Sequence, residues 1–207
     1  MKSIDVAHIA GNVTIQNAKE ILNEVALNEI DNVCWPDEYP YKPAVSFQIA
    51  HTDTSILLHY TVEEEFVKAQ FIRPNENVWE DSCVEFFLSL DNKKNYYNFE
   101  FNVLGTAVLG YGPGVKSERN RLEATVINTI DTYTEVLNIQ GKKVWDIFIS
   151  IPKAIFGDVG FSAKTFHANF YKCGDNLPTP HFISWNKIDN PTPNFHLPQF
   201  FGDLNFK

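Results

Sequence analysis

The chain of 207 residues is poor in sulfur, and this scarcity excludes several kinds of site. Its single methionine is Met1, so the sequence offers no internal methionine that could ligate a haem together with a histidine. The three cysteines, Cys34, Cys83 and Cys173, are odd in number and lie far apart, without a C-x-x-C pair. They fit neither a disulfide framework nor a zinc site, and we expect buried, reduced thiols.

Basic residues and long apolar runs are also scarce. Asp and Glu number 26 against 17 Lys and Arg, which gives a net charge of −9. Nucleic acids and anionic membranes bind clustered basic residues, so we expect neither as a partner. No run reaches the ~20 apolar residues of a transmembrane helix, and residues 1–16 lack the features of a signal peptide. We therefore expect a cytoplasmic protein, or a periplasmic or extracellular one if a leader has been removed.

The chain does contain enough apolar residues for a buried core, and we predict a single domain over residues 1–207. Residues 17–28 space apolar side chains along one face and predict a helix. Most of the remaining sequence alternates polar and apolar residues as strands do. The candidate strands are 44–50, 55–62, 82–90, 96–103, 106–110, 122–130, 133–139, 143–151, 163–172 and a last short one at 203–206. This pattern predicts an all-β fold, an antiparallel β-sandwich of the jelly-roll or immunoglobulin type with one or two short helices.

One predicted hairpin places acidic and amide side chains on the same face of a sheet. Because side chains along a strand alternate between its two faces, Glu85 of the first strand lies on the face away from the apolar side chains. The same is true of three residues of the next strand: Asn98, Glu100 and Asn102. Trp79 lies at the edge of this patch. The patch is either an ordinary solvated face or a carbohydrate site, in which carboxylates and amides bind hydroxyl groups while an aromatic ring stacks on the sugar.

Two segments, PYKPAVSFQIAH and HANFYKCGDNLPTPHFISW, resemble the single-domain bacterial branch of the carbohydrate-binding module family 9-like domains. Three further segments resemble these domains in general. The segments are VWEDSCVEFF, YYNFEFNVLG and the C-terminal HFISWNKIDNPTPNFHLPQFFGDLNF. The resemblance covers about residues 35 to 206. It implies a β-sandwich without catalysis of its own that binds a mono- or oligosaccharide. The ligand of such modules is often the reducing end of a xylo- or gluco-oligosaccharide, and the modules are often attached to xylanases.

The resemblance also implies roles for individual residues. The sugar of family 9 modules is held between two tryptophans, which match Trp79 and Trp185 here and would face each other about 7 Å apart. Four residues match the polar positions that hold the hydroxyl groups: Glu85, Asn98, Glu100 and Asn102. Sugar-binding members tend to have a basic residue near the position of Glu100, where this chain has an acid. We expect no cofactor. Some members hold a structural calcium ion, although no D-x-D-x-D-G loop marks a calcium site in this sequence.

Two further functions stay open at this stage. Glu85 and Glu100 could form the carboxylate pair of a glycoside hydrolase, because cross-strand neighbours fall near the separations that such enzymes use. The same face could instead bind a protein, which predicts a shallow apolar surface without converging polar groups. His181 and His196 in the proline-rich loops are candidate hydrogen-bonding groups of the site, with packing or capping of the loops as the alternative.

Overall fold

The computed structural model describes residues 1–11 and 13–207, and its regular elements are mainly strands. Within these residues the strands are β1 (Ser3–His8), β2 (Asn28–Glu29), β3 (Asn32–Val33), β4 (Ala44–His51), β5 (Ser55–Glu64), β6 (Cys83–Ser89), β7 (Tyr96–Asn102), β8 (Ala107–Gly112), β9 (Asn120–Arg121), β10 (Asp131–Ile139), β11 (Lys142–Pro152), β12 (Lys164–Cys173), β13 (Phe182–Ser184) and β14 (Gly202–Phe206). The helices are α1 (Ala18–Leu22) and α2 (Ala124–Ile127), with single 3-10 turns at Val78–Glu80, Lys116–Glu118, Lys153–Phe156 and Pro198–Phe200. In these described ranges, no helix has the length and apolar character needed to span a membrane.

Strand β1 joins two groups of strands into one curled sheet. One group has the order β10-β11-β5-β4, and the other has the order β14-β12-β6-β7-β8-β9. β1 runs parallel to both β4 and β14, whereas the long neighbouring strands within each group are antiparallel. The fold is the predicted β-sandwich, but its sheet is mixed rather than wholly antiparallel. The reason is that the N-terminal strand, with Ile4 and Val6 facing the core, fills the position between two strands that come later in the chain.

The inner faces of the two groups enclose one apolar core. Phe47 of β4 stacks on Phe170 of β12 with ring centroids 3.9 Å apart, and Phe170 stacks on Phe86 of β6 at 5.0 Å. The core residues of β6 and β7 are those that the period-two alternation assigns to it: Val84, Phe86, Leu88, Phe99 and Phe101. A slip of one residue would move all of these side chains to the opposite face, so the apolar pattern determines the register of the hairpin.

A second apolar cluster lies on the outer face of the group that contains β6. The C-terminal segment 185–201 crosses this face, and the cluster joins its Phe195 and Phe201 with Phe87 of β6. Phe195 stacks on Tyr171 of β12, with ring centroids 4.2 Å apart and an interplanar angle of 11°. The face that alternation leaves polar is therefore largely covered by a loop layer.

Two elements differ from the predicted ones. The helix predicted at 17–28 ends at Leu22, and Asn28 already belongs to β2, which pairs with β4. The segment 122–130, predicted as a strand, contains α2 instead. The apolar residues of this segment that pack on the core follow a helical spacing: Leu122, Val126, Ile127 and Ile130. The β-branched residues of the segment favour a strand, and for this reason the sequence predicts a strand despite the helical spacing.

Candidate functional site

A cavity of about 520 Å³ lies on the outer face of β6, β7 and β8. Its floor consists of side chains that point away from the core, and its walls come from the loops around β9, β12 and β13. The apolar lining includes Trp79, Val108, Phe182, Pro193 and Phe195. The polar lining includes Glu85, Asn98, Glu100, Arg119, Arg121, Asp175 and His196. An apolar wall with a few converging polar groups is typical of a small-molecule site.

Two carboxylates, Glu85 and Glu100, form the acidic part of the floor. They lie directly opposite each other on β6 and β7, and cross-strand pairs of this kind have Cβ atoms about 4.5–5.5 Å apart. Glu85 is 4% exposed and Glu100 is 5% exposed. Burial raises the pKa of Glu85 well above its ordinary value, and the charge of Glu100 raises it further. Burial also raises the pKa of Glu100 to about 7, so both groups hold protons more readily than exposed carboxylates do.

Asn98 orients Glu100 within the floor. Its Nδ2 donates a hydrogen bond of 2.8 Å to Glu100 Oε1. Asn98 is itself held against the neighbouring strand β8 at Gly110, where an added Cβ would lie 2.4 Å from Asn98 Oδ1. A glycine at position 110 is therefore required for this arrangement of the floor.

Arg119 closes one side of the cavity and is tied to the protein by several hydrogen bonds. Its guanidinium group donates to the carbonyl oxygens of Gly112 and Pro113 and to Asn98 Oδ1. The group also lies over the ring of Tyr96, 3.8 Å from its centroid. These contacts use most of the donors of Arg119, so its main effect on the site is a fixed positive charge.

Trp79 stands at the edge of the cavity in the 3-10 turn Val78–Glu80. Its indole is half-buried, and the guanidinium carbon of Arg121 lies 5.5 Å from the ring centroid. The Trp79 carbonyl accepts a hydrogen bond of 3.0 Å from the backbone N–H of Asp175, which ties this turn to the loop after β12. Burial raises the pKa of the Asp175 carboxyl to about 6.

The structure brings four of the six residues predicted for the site together in this cavity: Trp79, Glu85, Asn98 and Glu100. Asn102 does not join them. Its Nδ2 donates to Asp81 and to the carbonyl of Phe71, while its Oδ1 accepts the N–H groups of Leu104 and Thr106. Asn102 is thus a buried residue at the end of β7 whose hydrogen-bonding capacity is used by the protein itself.

Trp185 also lies outside the cavity. It is 2% exposed and packs edge-on against Phe47 and Phe170 in the main core, with ring centroids 6.3 and 5.6 Å away. A ring in this position has no face available to a ligand. The predicted pair of opposed tryptophans is therefore not formed in this structure, because the Trp185 side chain points inward from the sheet.

Several cavity residues have no counterpart in the sequence prediction: Arg119, Arg121, Asp175, Phe182 and Phe195. They lie on short strands or loops without periodic patterning. Arg119 and Arg121 are separated by one residue in a chain of net charge −9. This basic pair is the sequence signal that could have indicated this side of the cavity. Of the two candidate histidines, His196 lines the cavity and its Nδ1 lies 2.8 Å from the Tyr96 hydroxyl, whereas His181 is buried in a different network.

One group of potential metal ligands adjoins the floor. The ligand atoms of Cys83, Glu85 and Cys173 all lie within 4.8 Å of one another. Burial raises the pKa of the Cys83 thiol to about 12, and burial likewise raises that of Cys173. Thiols are soft ligands and calcium takes oxygen ligands, so this group does not suit calcium. The structural calcium suggested by the resemblance stays a prediction.

Comparison with known proteins identifies the family. The profile of carbohydrate-binding family 9 matches residues 16–206. A candidate carbohydrate-binding protein from Bacteroides uniformis is 39% identical over 100% of this chain and 99% of its own, with a TM-score of 0.92. No curated protein matches the chain.

More distant structures have the same fold. A family 9 module from Caldicellulosiruptor kristjanssonii in complex with glucose is 13% identical, with a TM-score of 0.69 over 100% of this chain and 96% of its own. The same kind of module from that organism in complex with cellotriose is 13% identical, with a TM-score of 0.64 over 100% and 94% of the two chains. On the match over residues 16–206, this chain belongs to carbohydrate-binding family 9.

Proposed function

We propose that the cavity on β6, β7 and β8 binds a mono- or oligosaccharide without covalent chemistry. The observation that carries this proposal is the convergence of Glu85, Asn98 and Glu100 beside the half-buried ring of Trp79. Carboxylate and amide oxygens accept hydrogen bonds from sugar hydroxyls, and an indole face packs on the C–H face of a pyranose. Membership of carbohydrate-binding family 9 and the sugar complexes of distant relatives support the same ligand class.

The proposed ligand is the reducing end of a xylo- or gluco-oligosaccharide, with one stacking platform instead of two. Trp79 takes the stacking role, and the remaining apolar lining comes from Phe182 and Phe195. The cavity of about 520 Å³ is large enough for a sugar of one or two rings. The converging polar groups favour this ligand over a protein partner, whose interface is expected to be flatter and less acidic at its centre.

Replacing Trp79 by alanine is expected to weaken saccharide binding at least tenfold, because the platform supplies a large part of a weak affinity. Isothermal titration calorimetry with glucose, xylose, cellotriose and xylotriose measures this directly. Tyr133→Ala is the matched control, since Tyr133 is an exposed aromatic residue on β10, at the opposite end of the strand order. Absence of binding by the wild-type protein to every sugar of the panel would contradict the proposal.

We propose further that binding is not followed by hydrolysis. Glycosidases place two carboxyl groups on either side of the scissile bond, whereas Glu85 and Glu100 stand side by side on one sheet face and would reach a ligand from the same side. The glycoside hydrolase alternative requires this pair. We therefore expect no release of reducing sugar from xylo- or cello-oligosaccharides by the wild-type protein. Turnover that disappears in Glu85→Gln while sugar binding is retained would contradict this expectation.

A further inference from the structure

The hydrogen bonds at the cavity floor leave two carboxylate oxygens free for a ligand. Cys173 Sγ donates to Glu85 Oε1 over 3.1 Å, and Asn98 Nδ2 donates to Glu100 Oε1 over 2.8 Å. Across residues 1–11 and 13–207, no protein donor is bonded to the Oε2 atom of either side chain. Two side chains that are more than nine-tenths buried thus each present an unpartnered acceptor at the cavity.

The nearby arginines do not occupy these acceptors. Arg119 directs its guanidinium group to backbone carbonyls and to Asn98 Oδ1. Arg121 donates to the carbonyl of Asn75 and lies over the Trp79 ring. In the part of the chain that the structure describes, neither arginine forms an ion pair with Glu85 or Glu100. The floor therefore has unoccupied acceptors where a ligand would contact it.

A ligand that covers this floor must replace the water that solvates the two carboxylates. Burial raises the pKa of both side chains, so the free pair holds protons more readily than exposed carboxylates do. A neutral hydroxyl group supplies one donor but no charge that would favour the ionised pair. An ammonium group supplies three donors and a positive charge, and charge-assisted hydrogen bonds are about twice as strong as neutral ones. Asp175 adds a third carboxylate to the lining, which also contains the cationic side chains Lys116, Arg119 and Arg121.

We propose that the cavity selects a saccharide that carries a free amino group, and that its ammonium group binds between Glu85 and Glu100. This inference rests on the proposed function and specifies the ligand class. An N-acetylated sugar has the same ring but a neutral amide, and glucose has a hydroxyl group at the same carbon as the amine of glucosamine. Comparing the affinities of these three sugars distinguishes the effect of the ligand's charge from the effect of its shape.

Calorimetric titration of the wild-type protein with glucosamine, N-acetylglucosamine and glucose at neutral pH tests the proposal. We expect glucosamine to bind about tenfold more tightly than the two neutral sugars, as a charge-assisted pair implies. In Glu100→Gln this preference should disappear, while Glu24→Gln, which removes an exposed carboxylate elsewhere, should keep it. Thermal unfolding of each variant, followed by circular dichroism, shows that the protein is folded.

The outcomes distinguish the two proposals. If glucose binds as tightly as glucosamine, or if the preference persists in Glu100→Gln, the amino-sugar inference is overturned and saccharide binding stands. If none of these sugars and none of the neutral oligosaccharides binds, saccharide binding fails and the inference fails with it. The Asp175→Asn variant provides a second test, because it should reduce the preference for glucosamine over the neutral sugars without abolishing it.

Discussion

Trp185→Ala is expected to reduce the free energy of unfolding by about 3–5 kcal/mol, the usual cost of replacing a buried tryptophan by alanine. The side chain is 2% exposed and packs against Phe47 and Phe170, where the two groups of strands meet. Its ring also lies close to Gly202 of β14, since a Cβ added there would come 2.6 Å from a ring carbon. Removal of the indole therefore leaves a cavity that the rigid sheet cannot fill.

Urea unfolding of Trp185→Ala, with Trp79→Ala as its matched control, measures this effect. Trp79 is half-buried at the edge of the ligand cavity, so its loss should affect stability much less and binding much more. The comparison of stability and binding between the two variants thus distinguishes a tryptophan of the core from a tryptophan of the binding site. A Trp185→Ala protein of unchanged stability that no longer binds sugar would contradict the structure and would favour the two-tryptophan site of the family resemblance.

Lys172→Met is expected to reduce the free energy of unfolding by about 3–5 kcal/mol, because it leaves the buried carboxylate of Glu64 without its partner. Lys172 of β12 and Glu64 of β5 are fully buried, and Lys172 Nζ lies 2.9 Å from Glu64 Oε2. The ammonium group also contacts His181 Nε2 and the carbonyl of Cys173, each at 2.7 Å. Trp145 Nε1 donates to the other oxygen of Glu64 over 2.7 Å. This network connects the two groups of strands across the core.

The protonation state of His181 is part of this network. Burial and the charge of Lys172 lower the pKa of His181 to about 3, so its ring is neutral. The neutral ring can accept a hydrogen bond from Lys172 at Nε2 while Nδ1 donates to the carbonyl of Thr179 over 3.0 Å. Lys172 Nζ then has two hydrogen-bond acceptors, His181 Nε2 and the carbonyl of Cys173, and Glu64 Oε2 at 2.9 Å as its ion-pair partner, so its buried charge is compensated.

Chemical denaturation of Lys172→Met, Glu64→Gln and the double variant measures the coupling of this pair. The double variant should recover part of the stability lost in Lys172→Met, because the amide introduced by Glu64→Gln carries no charge and can still accept the Trp145 hydrogen bond. A cost below about 1 kcal/mol for Lys172→Met would contradict the description of this pair as a buried ion pair.

The sequence was sufficient to predict the sandwich and one face of the site. Alternation and the short turn between β6 and β7 determine which side chains face the core, so they also determine that Glu85 and Glu100 share the outer face. The burial of that face could not be predicted, because the covering segment 185–201 has no periodicity and packs through long-range contacts. The same limitation explains the misplacement of Trp185 and Asn102, whose orientations depend on neighbours that are distant in sequence.

The wall of the cavity was similarly inaccessible to sequence reasoning. Arg119 and Arg121 reach the site only because β9 pairs with β8, a pairing of two residues that leaves no pattern in the sequence. The helical spacing that follows them, at Leu122 and Val126, was concealed by β-branched residues. Polar floor residues on long strands were therefore predictable, whereas the residues contributed by loops were not.

The indole N–H resonances of the protein provide the most direct test of where a saccharide binds. The four tryptophans give four such signals in a heteronuclear NMR spectrum, and Trp→Phe variants assign them. Titration with the tightest-binding sugar of the panel is expected to shift the Trp79 signal, while those of Trp145 and Trp185, which are buried in the core, stay in place. A shift of the Trp185 signal with an unchanged Trp79 signal would contradict the proposed site.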